Sequence, residues 1–254
     1  MKFSFIGQIQ FRFLIILGLF LTSCGNQSEK SSAEKSDSTI KKPTIQHKLI
    51  ERTVDNCNTQ SDTCTYASVK YPVFSGSDRD KELNKFIFDS ILNVNDTSEL
   101  RSSLDSFLIQ WRKTYEMMDE AMPWVKESAF MASFEDSLLH IEQSHYLYSG
   151  GAHGNYGEFH SYFSWPELRH LSWKNFIDES ENELIAKLKT NHAKAMKSKS
   201  YNDLIDKGYI FDDSLYVHNN FVIGKDSISF LYNPYEIAPY SEGIVKIKAE
   251  RTNK

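Results

Sequence analysis

His145-Tyr-Leu-Tyr-Ser-Gly150-Gly-Ala-His-Gly-Asn155-Tyr-Gly-Glu-Phe-His160-Ser-Tyr-Phe-Ser-Trp165 is the stretch on which the fold turns. It holds four of the eleven glycines and three of the eight histidines, and it interrupts two segments that alternate like strands. Glycine adopts backbone angles that other residues avoid, so Gly150, Gly151, Gly154 and Gly157 among so many aromatic rings imply a shaped loop held between rigid strands.

Working outward, Ala129 to Phe134 and Leu138 to Tyr148 read as a hairpin around Glu135-Asp136-Ser137 that leads into the loop. On the far side Phe159, Ser161, Phe163 and Trp165 alternate with His160, Tyr162 and Ser164 until Pro166 stops the strand. Upstream, Ile45 to Val54 and Thr63 to Phe74 have strand character, with Ala67, Val69, Tyr71 and Val73 on one face and Tyr66, Ser68 and Lys70 on the other. Between them and the hairpin come two helices. Leu83, Phe86, Ile87 and Ile91 form the stripe of the first, after a start at Ser77 and Asp80. Leu100, Leu104, Phe107, Leu108, Trp111, Tyr115 and Met118 form that of the second, from about Thr97 to Pro123. Downstream, Leu171 to Ile177 reads as a short extended piece, Leu184, Ile185, Leu188 and Met196 mark a third helix, and Tyr201 to Asp213 reads as loop and turn. Strands return at Asn220 to Gly224, Ser227 to Tyr232 and Ile244 to Ala249. Segregated rather than alternating elements imply an α+β fold of two lobes, with antiparallel sheets and helices packed on one face.

The amino terminus belongs to targeting. Lys2 and Arg12 flank the start, Phe13 to Leu21 is apolar, and this stretch is well under the roughly 20 residues that span a bilayer, as in a signal h-region. Leu21-Thr22-Ser23-Cys24 resembles a bacterial lipobox, which implies cleavage before Cys24 and a lipid on its sulfur. Several acyl chains, each buried CH₂ contributing about 0.8 kcal/mol, would make release negligible. Residues 1–23 are thus read as a lipoprotein signal peptide and 24–43 as a disordered tether, because Gly25 to Lys42 has almost nothing to bury. The expected setting is the cell envelope, anchored to a bacterial membrane and facing the periplasm or the surface.

Losing Lys2 and Arg12 takes the 29 basic residues to 27 against 34 acidic ones, net −7, so nucleic acid is excluded as a natural partner. With Cys24 carrying lipid, Cys57 and Cys64 remain, seven apart, and in an exported protein they imply a disulfide. Two thiols could also bind metal, but no Cys/His partner set accompanies them.

Chemistry is harder to find. Gly151, Gly154 and Gly157 match neither a P-loop nor a dinucleotide loop, and a strand follows them. His140 and His145 are an odd number apart, hence on opposite strand faces, and neither His-Glu-x-x-His nor Gly-x-Ser-x-Gly occurs. Glu158 and Glu236 are carboxylates that sequence alone cannot pair. No catalytic residue, metal ligand or cofactor is assigned. The carboxyl-terminal Tyr232-Asn-Pro-Tyr-Glu-Ile-Ala-Pro-Tyr240 packs three tyrosines and two prolines into a rigid turn between strands. One ligand surface is expected from the loop and this turn, built from Tyr148, His153, Asn155, Tyr156, Tyr232, Tyr235, Glu236 and Tyr240.

Tyr148-Ser-Gly-Gly-Ala-His153, with the aromatic strand and Leu171 to Phe176 behind it, resembles the centre of the DUF3298 family of bacterial envelope domains. Phe230 to Gly243 resembles that family's carboxyl-terminal signature, and the cysteine-bearing strand ending in Tyr71-Pro72-Val73-Phe74 resembles the start of its DUF4163 partner. The resemblance spans about Ile45 to Glu250 and divides the chain into a DUF4163-like lobe, 44–165, and a DUF3298-like lobe, 166–254. One departure is Gly154, where the family often has proline. Relatives in this resemblance include the ectodomain of an anti-sigma factor that is a lysozyme receptor and the noncatalytic part of a peptidoglycan deacetylase. The deacetylase chemistry does not carry over, because Phe211-Asp212-Asp213 lacks the threonine of its motif and His160-Ser161-x-x-Ser164 lacks the second histidine. The expectation is a lipid-anchored binding protein for a cell-wall glycan or an envelope-active protein such as a lysozyme-like hydrolase. An enzyme acting on peptidoglycan or polysaccharide, or a passive subunit of an envelope complex, are the alternatives.

Overall fold

The computed structural model describes residues 41–118 and 122–252, so the leader, Cys24 and nearly all of the expected tether lie outside the described residues. β1 (Thr44–Thr53) and β2 (Tyr66–Ser75) pair antiparallel from Thr44↔Ser75 to Thr53↔Tyr66. Asp55 and Asn56, both at positive φ, turn the chain between them, and Cys57 and Cys64 close that turn as a disulfide with Cα atoms 5.5 Å apart. Closing so short a loop stabilises by about 2 to 3 kcal/mol through the unfolded state.

α1 (Asp80–Phe86) runs on through a π-helical turn, Ile87–Leu92, that ends at Asn93 in the left-handed region. α2 (Thr97–Met118) follows. Its Leu100 and Leu104, with Phe107 and Leu108 alongside, pack on Ala67, Val69, Tyr71 and Phe130. The helical stripe and the apolar strand parity meet here, each burying the face that the other leaves open.

β3 (Val125–Glu135), β4 (Leu138–Tyr148), β5 (Asn155–Ser164) and the two-residue β6 (His170–Leu171) complete a six-stranded sheet in sequence order. Every pairing is antiparallel except β2 with β3, which is parallel from Tyr66↔Val125 to Lys70↔Ala129. This departs from the all-antiparallel expectation. α1 and α2 return the chain to the end of the sheet where β2 began, and only a long crossover of this kind allows a parallel neighbour. β5 also starts earlier than its aromatic alternation suggests, taking in Asn155 to Glu158.

Beyond the short helical turn at Trp173–Asn175 come α3 (Glu181–Ala195) and α4 (Tyr201–Asp206). Ser180 and Glu183 form a capping box on α3, and Ser200 caps α4 through the Asp203 amide, so a helix stands where loop was expected. β7 (Phe221–Ile223), β8 (Ser227–Tyr232) and β9 (Val245–Glu250) form a second, antiparallel sheet, with α3 held to β9 by an Asn191 side-chain bond of 2.7 Å to the Lys248 carbonyl. Leu184, Leu188, Leu204, Phe221, Phe230 and Tyr232 form its core together with Tyr162 of β5. The Tyr162 ring lies 5.4 Å from that of Phe221, and its hydroxyl accepts from the Ile223 amide at 3.1 Å. The two sheets are therefore joined through a shared core. Among the described residues no helix is long and apolar enough to cross a membrane.

Candidate functional site

Because α1 and α2 cover one face of the six-stranded sheet and the second sheet covers only the Tyr162 end of the other, the rest of that face is open. Strand register decides what it presents. Ser68, Glu127, Tyr146 and Tyr156 stand in one row across β2 to β5, and Lys70, Ala129, Ser144 and Glu158 in the next. Together they line a groove of about 480 Å³. The Tyr66 hydroxyl donates to Glu127 Oε1 at 2.6 Å and is pushed up in pKa by burial first and then by that carboxylate. Glu158 is pushed up by burial, but hydrogen bonding to His160 and the charge of Lys246 outweigh this, and its carboxyl stays below the ordinary range.

At one end the groove runs into an aromatic patch. The β4–β5 loop turns at Gly150 and Gly151, both at positive φ. The His153 Nδ1 donates to the Gly154 carbonyl at 2.9 Å, which leaves Nε2 to accept from the Tyr235 hydroxyl at 3.4 Å. Tyr240 stacks on His153 with centroids 3.9 Å apart and donates its hydroxyl to the same carbonyl at 2.8 Å. Its ring meets Tyr156 edge-on at 5.7 Å. A Cβ on Gly154 would stand 2.5 Å from the Tyr146 ring, so only glycine lets that ring lie on the loop backbone and join patch to groove.

The Tyr235 conformation is the local anomaly. Asn233-Pro-Tyr-Glu236 has proline at the second position, φ of 69° at the third and a 3.0 Å bond from the Glu236 amide to the Asn233 carbonyl, the pattern of a type II turn. Glycine or asparagine is expected at that third position, and a bulky residue there is strained. Glu236 braces the turn by accepting from the Asn233 amide at 3.0 Å, and burial raises its pKa. The strain holds a tyrosine 55% exposed on the patch.

Two asparagines fix the patch to the sheet. β6 covers only the far end of β5, so the near end has a free edge, which side chains satisfy. Asn220 Oδ1 accepts from the His160 amide at 2.9 Å, while its Nδ2 donates to the carbonyls of Glu158 at 2.8 Å and Leu231 at 3.2 Å. Asn233 Oδ1 accepts from the Glu158 amide at 2.8 Å. Both are buried, and both sit where a neighbouring strand would otherwise supply the ladder.

Of the residues expected from sequence, the structure brings His153, Tyr156, Tyr235 and Tyr240 into contact, with Glu236 beneath them as a brace. Tyr148 is bonded instead through its hydroxyl to the Gly151 carbonyl at 3.1 Å, and Asn155 is exposed opposite Leu147. Tyr232 is not on the surface. Strand parity puts it with Ile228 and Phe230 in the core, fully buried, its hydroxyl bonded to the Tyr216 carbonyl at 2.6 Å. Reading by residue type missed Asn220, Asn233, Tyr146 and Glu127. It weighed His140 only against His145 and so missed its bond to His160 across β4 and β5 at 2.9 Å. The signal for that pair is the hairpin register, since Glu142↔His160 and His140↔Tyr162 make the two histidines diagonal neighbours on one face.

No curated protein matches the chain. The family model described as DUF3298, a protein of unknown function, matches residues 174–250. Among solved structures, the chain is similar to a DUF3298 family member from Bacteroides fragilis, with 19% identity, a TM-score of 0.69 and coverage of 82% of this chain and 90% of that one. It is similar also to a DUF3298 family protein from Pseudomonas aeruginosa, with 19% identity, a TM-score of 0.56 and coverage of 83% and 92%. At such identity the likeness is one of fold, and it extends well upstream of the matched segment. Residues 174–250 of this chain are a DUF3298 domain, set within a fold that solved members of that family share.

Proposed function

We propose that the protein is a lipid-anchored binding protein of the bacterial cell envelope, with a DUF4163-like amino-terminal part, whose ligand is a cell-wall glycan. The observation that carries this reading is the continuity of the patch (His153, Tyr156, Tyr235, Tyr240) with a groove holding Glu127, Glu158, Lys70 and the Tyr146 ring. Flat rings with hydroxyl tips offer apolar area at low entropic cost, and a few fixed polar groups orient a ligand; a sugar presents both an apolar ring face and hydroxyls to meet them. An exposed tyrosine kept in a strained conformation supports the same reading, since strain of this kind gathers at binding sites.

Incubating the purified protein with cell-wall polymer tests it. Saturable retention without release of product is expected. Time-dependent product would make the groove an active site, and retention of a lysozyme-like protein but not of polymer would move the ligand to the protein class.

The envelope setting rests on the lipobox-like Leu21-Thr22-Ser23-Cys24. Cys24→Ala is expected to move the protein from the membrane to the soluble fraction or to leave a slower-migrating precursor. Mass spectrometry that finds an unmodified Cys24 within an intact leader contradicts the anchor.

A further inference from the structure

A chain of polar side chains crosses the sheet behind the groove, and it has a direction. Ser133 Oγ lies 3.5 Å from His140 Nδ1, His140 Nε2 lies 2.9 Å from His160 Nδ1, and His160 Nε2 lies 2.7 Å from Glu158 Oε1. Lys246 Nζ reaches the same carboxylate oxygen at 3.4 Å. A carboxylate only accepts, so His160 carries a hydrogen on Nε2, and as a neutral ring it offers a lone pair at Nδ1. His140 must then donate from Nε2, and its own Nδ1 accepts from the Ser133 hydroxyl. Ser133 is exposed at the end of β3, His160 is buried, and Glu158 faces the groove.

We propose that Ser133, His140, His160 and Glu158 form a proton wire between solvent at the β3–β4 hairpin and the groove carboxylate. A proton taken up at His140 Nδ1 releases the Nε2 proton to His160 Nδ1, which releases its own Nε2 proton to Glu158 Oε1. One proton enters, one arrives, and both rings end neutral with their tautomers exchanged. Ser133 then accepts where it had donated. The route lets Glu158 gain or lose a proton while a ligand closes the groove above it. That use rests on the binding role proposed for the groove; the existence of the wire does not.

The surroundings favour a neutral His140 ring. Burial first, and the neighbouring His160 second, push His140 down to about 4, so near neutral pH its Nδ1 lone pair is free for Ser133. The Tyr162 ring stacks on His140 at 4.4 Å and holds its plane. The other charged or titratable groups around the chain are Glu142, opposite His160 in the register, Glu135 near Tyr162, Lys246 beside Glu158, and His47, which accepts from the Ala132 amide one residue before Ser133.

Imidazole tautomers are read directly from long-range proton–nitrogen spectra of the full-length protein. Near neutral pH both His140 and His160 are expected in the Nε2–H form. His140→Phe keeps a flat ring on Tyr162 and removes the wire, and His160, whose Nε2 hydrogen is held by Glu158, should keep its Nε2–H form. Should that variant fail to fold, the wild-type tautomers decide alone. An Nδ1–H form of either ring near neutral pH would overturn the proposal. Polymer retention that survives such a result leaves the binding reading standing, and both rings in the Nε2–H form without retention leave the wire standing.

Discussion

Replacing Asn220 by leucine is expected to destabilise the protein by about 3 kcal/mol or more, because it strands buried backbone groups that cost about 1 to 3 kcal/mol each when unpaired. The leucine has nearly the same size, so the loss comes from the three bonds that the amide makes to the His160 amide and to the Glu158 and Leu231 carbonyls. Asn220→Asp keeps the acceptor for His160 and loses both donors, and should fall between wild type and leucine. Denaturant unfolding with an unchanged slope is the measurement, and a melting shift on the order of 6 to 12 °C is expected for a body of this size. A loss under about 1 kcal/mol would mean that water satisfies the edge of β5 and that the asparagines are not what fixes the patch to the sheet.

How much of this was legible follows from what each residue reveals alone. Alternation and helical stripes located most of the elements because burial imposes its period directly on residue type. The parallel pairing of β2 and β3 was not legible, since strand alternation is the same in either direction. Gly157 disguised the start of β5 as loop. It is glycine because a Cβ there would come within 2.5 Å of His145 Cε1, a close contact and not a turn. α4 was missed because Tyr201 and Leu204 are its only buried residues, too few to show a period. Within the site, the tyrosines were found by type, and parity would have removed Tyr232 from them. Asn220 and Asn233 were invisible, because an asparagine that stands in for a strand looks in sequence like any turn residue.

The strained Tyr235 allows function and stability to be separated by sign. Tyr235→Gly relieves a bulky residue from the left-handed region, so stability should stay level or rise by up to about 1 kcal/mol. Ligand retention should fall by about 2 kcal/mol or more, roughly 30-fold in affinity, as for a central tyrosine of a binding surface. A residue that only seals the core edge would give the opposite pattern, lower melting and intact binding. His153→Ala and Tyr156→Ala extend the test around the patch, and weakened retention without unfolding is expected in each.

The most direct test of the binding claim is a titration of nitrogen-15-labelled protein with soluble fragments of cell-wall glycan, followed amide by amide. The account predicts saturable shifts at Tyr146, Gly154, Tyr156, Glu158 and Tyr235, where groove and patch meet, and little change along α3 and α4. Shifts that do not saturate, or that gather around Lys189 and Lys194 on α3 while the β4–β5 loop stays unperturbed, would contradict it.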